Sequence, residues 1–426
     1  MAEFSATVYQ NEFLPDGGTD VHAIVSVACT GAGQAGQSGA GLAGEILIID
    51  TSGSMESAQM EAAKGAAIAA LGEIPDGVYF SVISGNGAAF LVYPPVRSGP
   101  AMVPMNAQTG AEARAAISRL NSGGGTVIST WLDLAGLLFS SVPAVTQRHA
   151  ILLTDGENNE TAEALDAAIS RAEGVYQCDC RGVGVEWRVE EIRRIAQRLL
   201  GTVDIIPEPD QLGPQFAAMM RTAVSRGVAN ASLRVWTPQG AQVLFVRQVS
   251  PTVEDLTTRR SPVNDLTGDY PTGAWSDETR EYHIGVRLAA RSLGQEQLAA
   301  RAQMVVGDVV ATQGLVKATW SNDASLTARI DRQVAHYTGQ TELAAAIQEG
   351  LAAKAAGDEE TATTKLGRAV QLAKETGNDE ATSKLRKVVE IDNEDTGTVR
   401  LKKVVEKADE MALDTASTKT TRVRPS

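Results

Sequence analysis

The sequence predicts an α/β protein. It is expected to hold a doubly wound, mostly parallel sheet, then an antiparallel β-sandwich and a C-terminal helical region. Three observations carry this expectation. From residue 45 onward, short apolar runs alternate with stretches of helical spacing, the pattern of repeated β–α units. EILIID and AILLTD are continuous apolar runs rather than alternating ones, as strands covered on both faces are. Between residues 228 and 320 the period falls to two and is broken by Pro and Gly, as in a sandwich.

The elements follow in order. FSATVYQ (4–10) and DVHAIVSVAC (20–29) read as strands around a PDGG turn, so residues 1–30 need a sheet to join, and the sandwich is the nearest. GAGQAGQSGAG contains G-x-G-x-x-G at Gly31, Gly33 and Gly36, but no helix opens after it to receive a pyrophosphate. It reads as a connector, not a dinucleotide site. The α/β domain spans 44–226. Its strands are EILIID, VYFSVISGN, AAFLVYP, RHAILLTD, CDCRGVGV and VDIIP, with helices between them and LGPQFAAMMRTAVSR closing it. The sandwich covers 228–320, and 324–413 is helical and charged. There Leu343, Ile347, Leu351, Leu366, Val370 and Leu385 are expected to bury against one another or the sandwich. Residues 414–426, DTASTKTTRVRPS, lack apolar periodicity and are expected to be a disordered tail.

The chain has 426 residues, of which 43% are hydrophobic and 21% charged, enough for several packed cores. A formal net charge of −14 disfavours nucleic acid and anionic membrane as partners. No apolar run approaches the ~20 residues of a membrane helix, and the first residues lack a basic and apolar leader. The three cysteines, Cys29, Cys178 and Cys180, form no disulfide framework, so a reducing cytoplasm is expected.

Three segments can deliver oxygen ligands to the carboxyl edge of the sheet, where open α/β folds bind ligands. DTSGS offers Asp50, Ser52 and Ser54 at alternate positions. GGGT lets the backbone approach closely and presents Thr126, and LLTDG ends an apolar strand in Asp155. Two carboxylates, three hydroxyls and water make a hard shell. That suits Mg²⁺, with Mn²⁺ or Ca²⁺ as substitutes, and suits Zn²⁺ poorly.

These five positions resemble the metal-ion-dependent adhesion site (MIDAS) of the von Willebrand factor A (VWA) family, over roughly residues 44–226. The resemblance implies a Rossmann-like domain that binds a divalent cation through Asp50, Ser52, Ser54, Thr126 and Asp155, directly or through water. A partner protein, or a second copy, would supply the last carboxylate. The wider layout is similar to cytoplasmic bacterial relatives with a sandwich and a helical C-terminus, which implies a role in a bacterial signalling or assembly complex. Relatives of that type are associated with Ser/Thr kinases and phosphothreonine-reading forkhead-associated (FHA) proteins. Phosphorylation of Thr420 or Thr421 in STKTTRVRP is therefore one reading of the tail, and an unmodified solubilising end is the other.

Catalysis is not expected. His22, His149, His283 and His336 are scattered, and neither G-x-S-x-G nor a Walker A string occurs. His149 reads as a hydrogen-bonded structural residue. The segment 155–166 is no EF-hand, because Glu160 stands at its sixth position and Asp166 at its twelfth. Two alternatives stay open: a metal-dependent hydrolase of a phosphorylated or acidic small molecule, and an accessory subunit of an ATPase–chelatase machine.

Overall fold

The structure, a computed structural model, describes residues 2–34, 42–55, 57–95, 101–206 and 208–423. Gly36 of the glycine-rich run and Arg424 of the tail lie outside these residues. The chain divides into two compact units. One comprises residues 31–229 with 273–276, the other 2–30, 230–272 and 277–426.

The first unit is built on a seven-stranded sheet. Its order is Val203–Ile206, Gln177–Val183, Val145–Thr154, Leu42–Asp50, Tyr79–Gly85 and Ala89–Tyr93, with Val103–Pro104 also paired to Tyr79–Gly85. The first five strands run parallel, and Ala89–Tyr93 closes the edge antiparallel. The chain enters at Leu42–Asp50, builds outward through Tyr79–Gly85, then returns to lay Val145–Thr154 on the other side. The strand order therefore reverses between Asp50 and Thr154, which creates a crevice at their carboxyl ends.

Helices cover both faces. Ser57–Leu71 carries Ala63, Ala66, Ala67 and Ala70 on its buried side, and these small residues bring it close to Leu47, Ile49, Ile151 and Leu153. Ile128–Ser141 buries Trp131, Leu132, Ala135, Leu138 and Phe139. Trp131 lies so close to Gly85 that a methyl group there would come within 2.3 Å of the indole. The same indole N–H donates to the Asn86 carbonyl at 2.9 Å, anchoring the loop beyond Gly85. Cys178 and Cys180 are buried on one face of their strand, with sulfurs 3.9 Å apart.

In the second unit the N-terminal strands do join the sandwich. Glu3–Gln10 pairs with Asp20–Thr30, which pairs with Glu278–Arg287 and so with Gln242–Ser250, in a five-stranded sheet. The helices Arg332–Ala355, Glu359–Glu375 and Asp379–Val388 each start on a side-chain cap, from Asp331, Asp358 and Asn378 respectively. They enclose a core of Leu343, Ile347, Leu366, Val370, Leu385 and Leu413.

Two expectations fail here. The stretch 380–413 is not helical throughout: Val389–Asn393 and Thr398–Leu401 form a hairpin before the helix Lys407–Ala416. Its turn suits the sequence, since Asn393 accepts from the amides of Asp395 and Thr396, and Gly397 takes φ +64°. The β-branched Val388, Val389 and Ile391 favour extended chain.

The tail is not disordered as far as residue 423. Val253 N–H donates to the Thr418 carbonyl at 2.7 Å, and Thr420 N–H to that of Pro251 at 3.0 Å. The Thr420 hydroxyl donates to the Val249 carbonyl at 2.8 Å, while Thr421 accepts from Gln340 Nε2 at 2.9 Å. Val423 packs against the cluster of Ile24, Val249 and Tyr337. Backbone and hydroxyl bonds, rather than apolar periodicity, hold this segment, so its composition did not reveal it. Both threonine hydroxyls are thus engaged, and a phosphate on either would break those bonds. Thr420→Glu should loosen the segment by about 1–2 kcal/mol. Trypsin should then cut at Lys419 and Arg422 roughly tenfold faster; an unchanged cleavage rate would contradict the docked tail.

Candidate metal centre

The crevice is formed where three loops leave the sheet. Asp50 is fully buried at the end of its strand and has both carboxylate oxygens engaged. Oδ1 accepts from the Ser52 amide at 2.7 Å, and Oδ2 from the Thr154 hydroxyl at 2.6 Å. Burial pushes the Asp50 carboxyl above its usual range, against the hydrogen bonds from Ser52 and Thr154. Ser52 Oγ and Ser54 Oγ lie 2.9 Å apart, and Ser54 Oγ donates to Asp155 Oδ1 at 2.7 Å.

Thr126 completes the set. A methyl group in place of a Gly156 hydrogen would lie 2.7 Å from Ser54 Oγ, 3.1 Å from Thr126 Oγ1 and 3.5 Å from Ser52 Oγ. Three hydroxyls therefore face one small space that only glycine leaves open. All five residues named from the sequence share this crevice: Asp50, Ser52, Thr126 and Asp155 are buried in it, and Ser54 is exposed.

The loops are bonded to one another. Gly53 N–H donates to the Gly124 carbonyl at 2.8 Å, Gly123 N–H to that of Thr51 at 2.8 Å, and Thr51 N–H to that of Gly85 at 2.7 Å. Gly124 takes φ +88°, a conformation costly for any residue with a Cβ.

Several residues of this architecture escaped the sequence reading. Thr154 positions Asp50, and its only signal was its place immediately before Asp155. The helix Ile128–Ser141 has no side-chain cap of its own at Val127. Its amides are accepted instead by other loops: Thr126 N–H by Asn159 Oδ1 at 2.7 Å, Val127 N–H by the Asn86 carbonyl at 2.9 Å, Ile128 N–H by Asn158 Oδ1 at 3.3 Å, and Ser129 N–H by Glu160 Oε1 at 2.8 Å. The run ENNE, four acceptor-bearing residues directly after Gly156, was the available clue.

The donor set is all oxygen. Among the described residues no group of three or more His, Cys, Asp and Glu gathers as a metal site, so an ion here would depend on the hydroxyls. Two carboxylates, three hydroxyls and an open cradle fit a hard divalent cation.

His149 stands apart from this centre. It is buried between Glu45 and Asp179, with Nδ1 2.7 Å from Glu45 Oε2 and Nε2 2.9 Å from Asp179 Oδ2. Glu45 precedes Asp50 by five residues, about 16 Å of extended strand.

Comparison with known proteins places the fold. Residues 45–205 match the von Willebrand factor type A domain, and residues 371–417 the von Willebrand factor type A C-terminal domain. A solved structure described as von Willebrand factor type A from Catenulispora acidiphila is 44% identical. It covers 99% of this chain and 97% of its own, with a TM-score of 0.93. The chain belongs to the von Willebrand factor type A family. The ArnB paralog VWA2 from Sulfolobus acidocaldarius shares the fold at 16% identity, over 98% of each chain, with a TM-score of 0.55. An uncharacterized Synechocystis protein is 27% identical over 218 residues, and the chain spans about half the length of that curated relative. The five crevice residues thus sit on a VWA sheet whose mostly parallel strands carry Asp50 and Asp155 to its switch point. The antiparallel sheets and C-terminal helices continue the VWA chain beyond it.

Proposed function

We propose that this VWA protein binds Mg²⁺ in the crevice and uses the ion to recruit a carboxylate of a partner protein, without catalysing a reaction. The observation that carries this reading is the cradle above Gly156, onto which Ser52, Ser54 and Thr126 converge beside Asp155. The ion would be held by Ser52 and Ser54, by Thr126, and by Asp50 and Asp155, directly or through water. Mg²⁺ keeps exchangeable water positions, and an acidic side chain can replace such a water. Mn²⁺ and Ca²⁺ are expected to substitute.

A binding role fits the chemistry of the crevice, whose lining groups are carboxylates, hydroxyls and amides. The buried histidine lies elsewhere on the sheet, clamped between two carboxylates. Three buried thiols, free of disulfides, suit a reducing cytoplasm, and no helix of the described residues is long and apolar enough to cross a membrane. A bacterial signalling or assembly complex is the setting we favour. A kinase and an FHA-type reader acting on Thr420 or Thr421 would first have to meet a released tail.

The test is calorimetric titration of the full chain with Mg²⁺ and Mn²⁺. Wild type should bind one ion, and Asp155→Ala should weaken binding at least tenfold, in the range of lost ligand-shell contacts. A wild-type titration without heat and without thermal stabilisation would refute the metal reading. Turnover of generic phosphoesters that Asp50→Ala abolishes would refute the non-catalytic part.

A further inference from the structure

The loop after Asp155 does more than connect a strand to a helix. Asn159 grips Thr126 at both main-chain groups: its Oδ1 accepts from Thr126 N–H at 2.7 Å, and its own N–H donates to the Thr126 carbonyl at 2.7 Å. A methyl group at Gly125 would lie 2.8 Å from the same Oδ1, so a glycine is needed beside the clamp. With the main chain of Thr126 fixed at two points, its side chain faces the cradle above Gly156. Asn159 lies four residues beyond Asp155 in the same loop, whereas Thr126 arrives from a segment 33 residues away. Asn158 and Glu160 tie that loop to the first two amides of the helix Ile128–Ser141, those of Ile128 and Ser129, and a carboxylate there also suits the positive helix end.

We infer that Asn159 is a positioning residue for the cation: it sets the Thr126 hydroxyl at the site and makes that ligand conditional on the Asp155 loop. The inference rests on the metal reading above. Asn159 itself need not touch the ion. It acts as outer partners of metal ligands do, by fixing the orientation of a ligand that would otherwise have several. The segment 155–166, which fails as an EF-hand, has in this view a different part in cation binding: it supplies one ligand and orients another.

A double-mutant cycle on the full chain, read as Mg²⁺ affinity by calorimetry, tests this. Asn159→Ala should weaken binding about 10- to 100-fold. Asn159→Asp, which keeps an acceptor for Thr126 N–H, should restore affinity to near wild type. In a Thr126→Ala background, Asn159→Ala should add no more than about twofold, because its effect passes through the missing hydroxyl. Thr161→Ala removes the cap of the next helix, where the Thr161 hydroxyl accepts from Ala164 N–H, and controls for local destabilisation. It should lower the melting temperature in EDTA without a comparable loss of affinity.

Absence of binding in wild type would overturn both the metal reading and this inference. Wild-type binding with an equal affinity in Asn159→Ala would overturn the inference alone, as would losses in the cycle that simply add. A lower melting temperature in EDTA with unchanged affinity would reduce Asn159 to a structural role.

Discussion

Replacing His149 with alanine is expected to lower the unfolding free energy by about 3–5 kcal/mol, the cost of leaving buried charges without their partner. Glu45, His149 and Asp179 come from three adjacent strands and are each no more than 3% exposed. Asp179 is further bound by the Thr202 amide at 2.6 Å and the Thr202 hydroxyl at 2.7 Å, with Arg226 Nη2 at 3.6 Å. Burial alone would lower the His149 pKa. The flanking carboxylates outweigh burial, and the imidazole is raised to about 9. Burial likewise pushes Asp179 up, but His149 and Arg226 prevail and hold it well below the usual carboxylate range.

The signs give a pH window. A folded pKa of about 9 against 6.5 unfolded means the His149 contribution is complete below pH 6.5 and lost as pH rises through 9. The Asp179 contribution is present above its unfolded value of 3.8 and is lost as pH falls toward its depressed folded value. Both terms act together between about pH 4 and 6.5. Melting temperature should therefore fall from pH 6.5 to 9.5 in wild type, and this slope should be much flatter in His149→Ala. Parallel slopes in the two proteins would mean that the imidazole is neutral in the fold.

This network also shows where a reading of residue types stops. EILIID reads as a continuous apolar strand, and nothing in the run marks the Glu45 at its head as part of a buried network. It is instead an interior charge, legible only once His149 and Asp179 stand beside it. The crevice was far more legible. Asp50 follows its apolar run directly and Asp155 follows one after a single threonine, so the strand that buries the run also delivers the carboxylate to the sheet edge. Ser52, Ser54 and Thr126 lie in short polar turns whose glycines announce close approach. Thr154 and Asn159 were hidden, because their role is a hydrogen bond to a residue 104 or 33 positions away. The docked tail was hidden for a related reason: Thr420 and Thr421 are held by carbonyl and amide groups, which leave no hydrophobic period in the sequence.

Gly156→Ala should abolish cation binding while removing no ligand. The added methyl would lie 2.7 Å from Ser54 Oγ and 3.1 Å from Thr126 Oγ1, closer than carbon tolerates, and would fill the space the ion needs. Gly156 does not adopt the left-handed backbone conformation, so alanine meets no strain of that kind, and the conflict falls on the hydroxyls. Ser54 can relieve it by turning about its χ1, which also breaks its bond to Asp155 and disperses the ligand set. Wild type at a Mg²⁺ concentration of about 100 times Kd should gain about 2.7 kcal/mol of stability from linkage, and the variant essentially none. Unfolding in urea with EDTA and with Mg²⁺ measures both terms on the same sample. The decisive pattern is a near-normal midpoint in EDTA with no response to Mg²⁺. Full Mg²⁺ stabilisation in Gly156→Ala would place the ion elsewhere and remove the cradle from the argument. If the variant is badly destabilised even in EDTA, the methyl is being resisted by the packed loops. Gly156→Ser would then be worse still, and Ser54→Ala in the same chain should restore the EDTA midpoint by vacating the nearest contact without restoring the response to Mg²⁺.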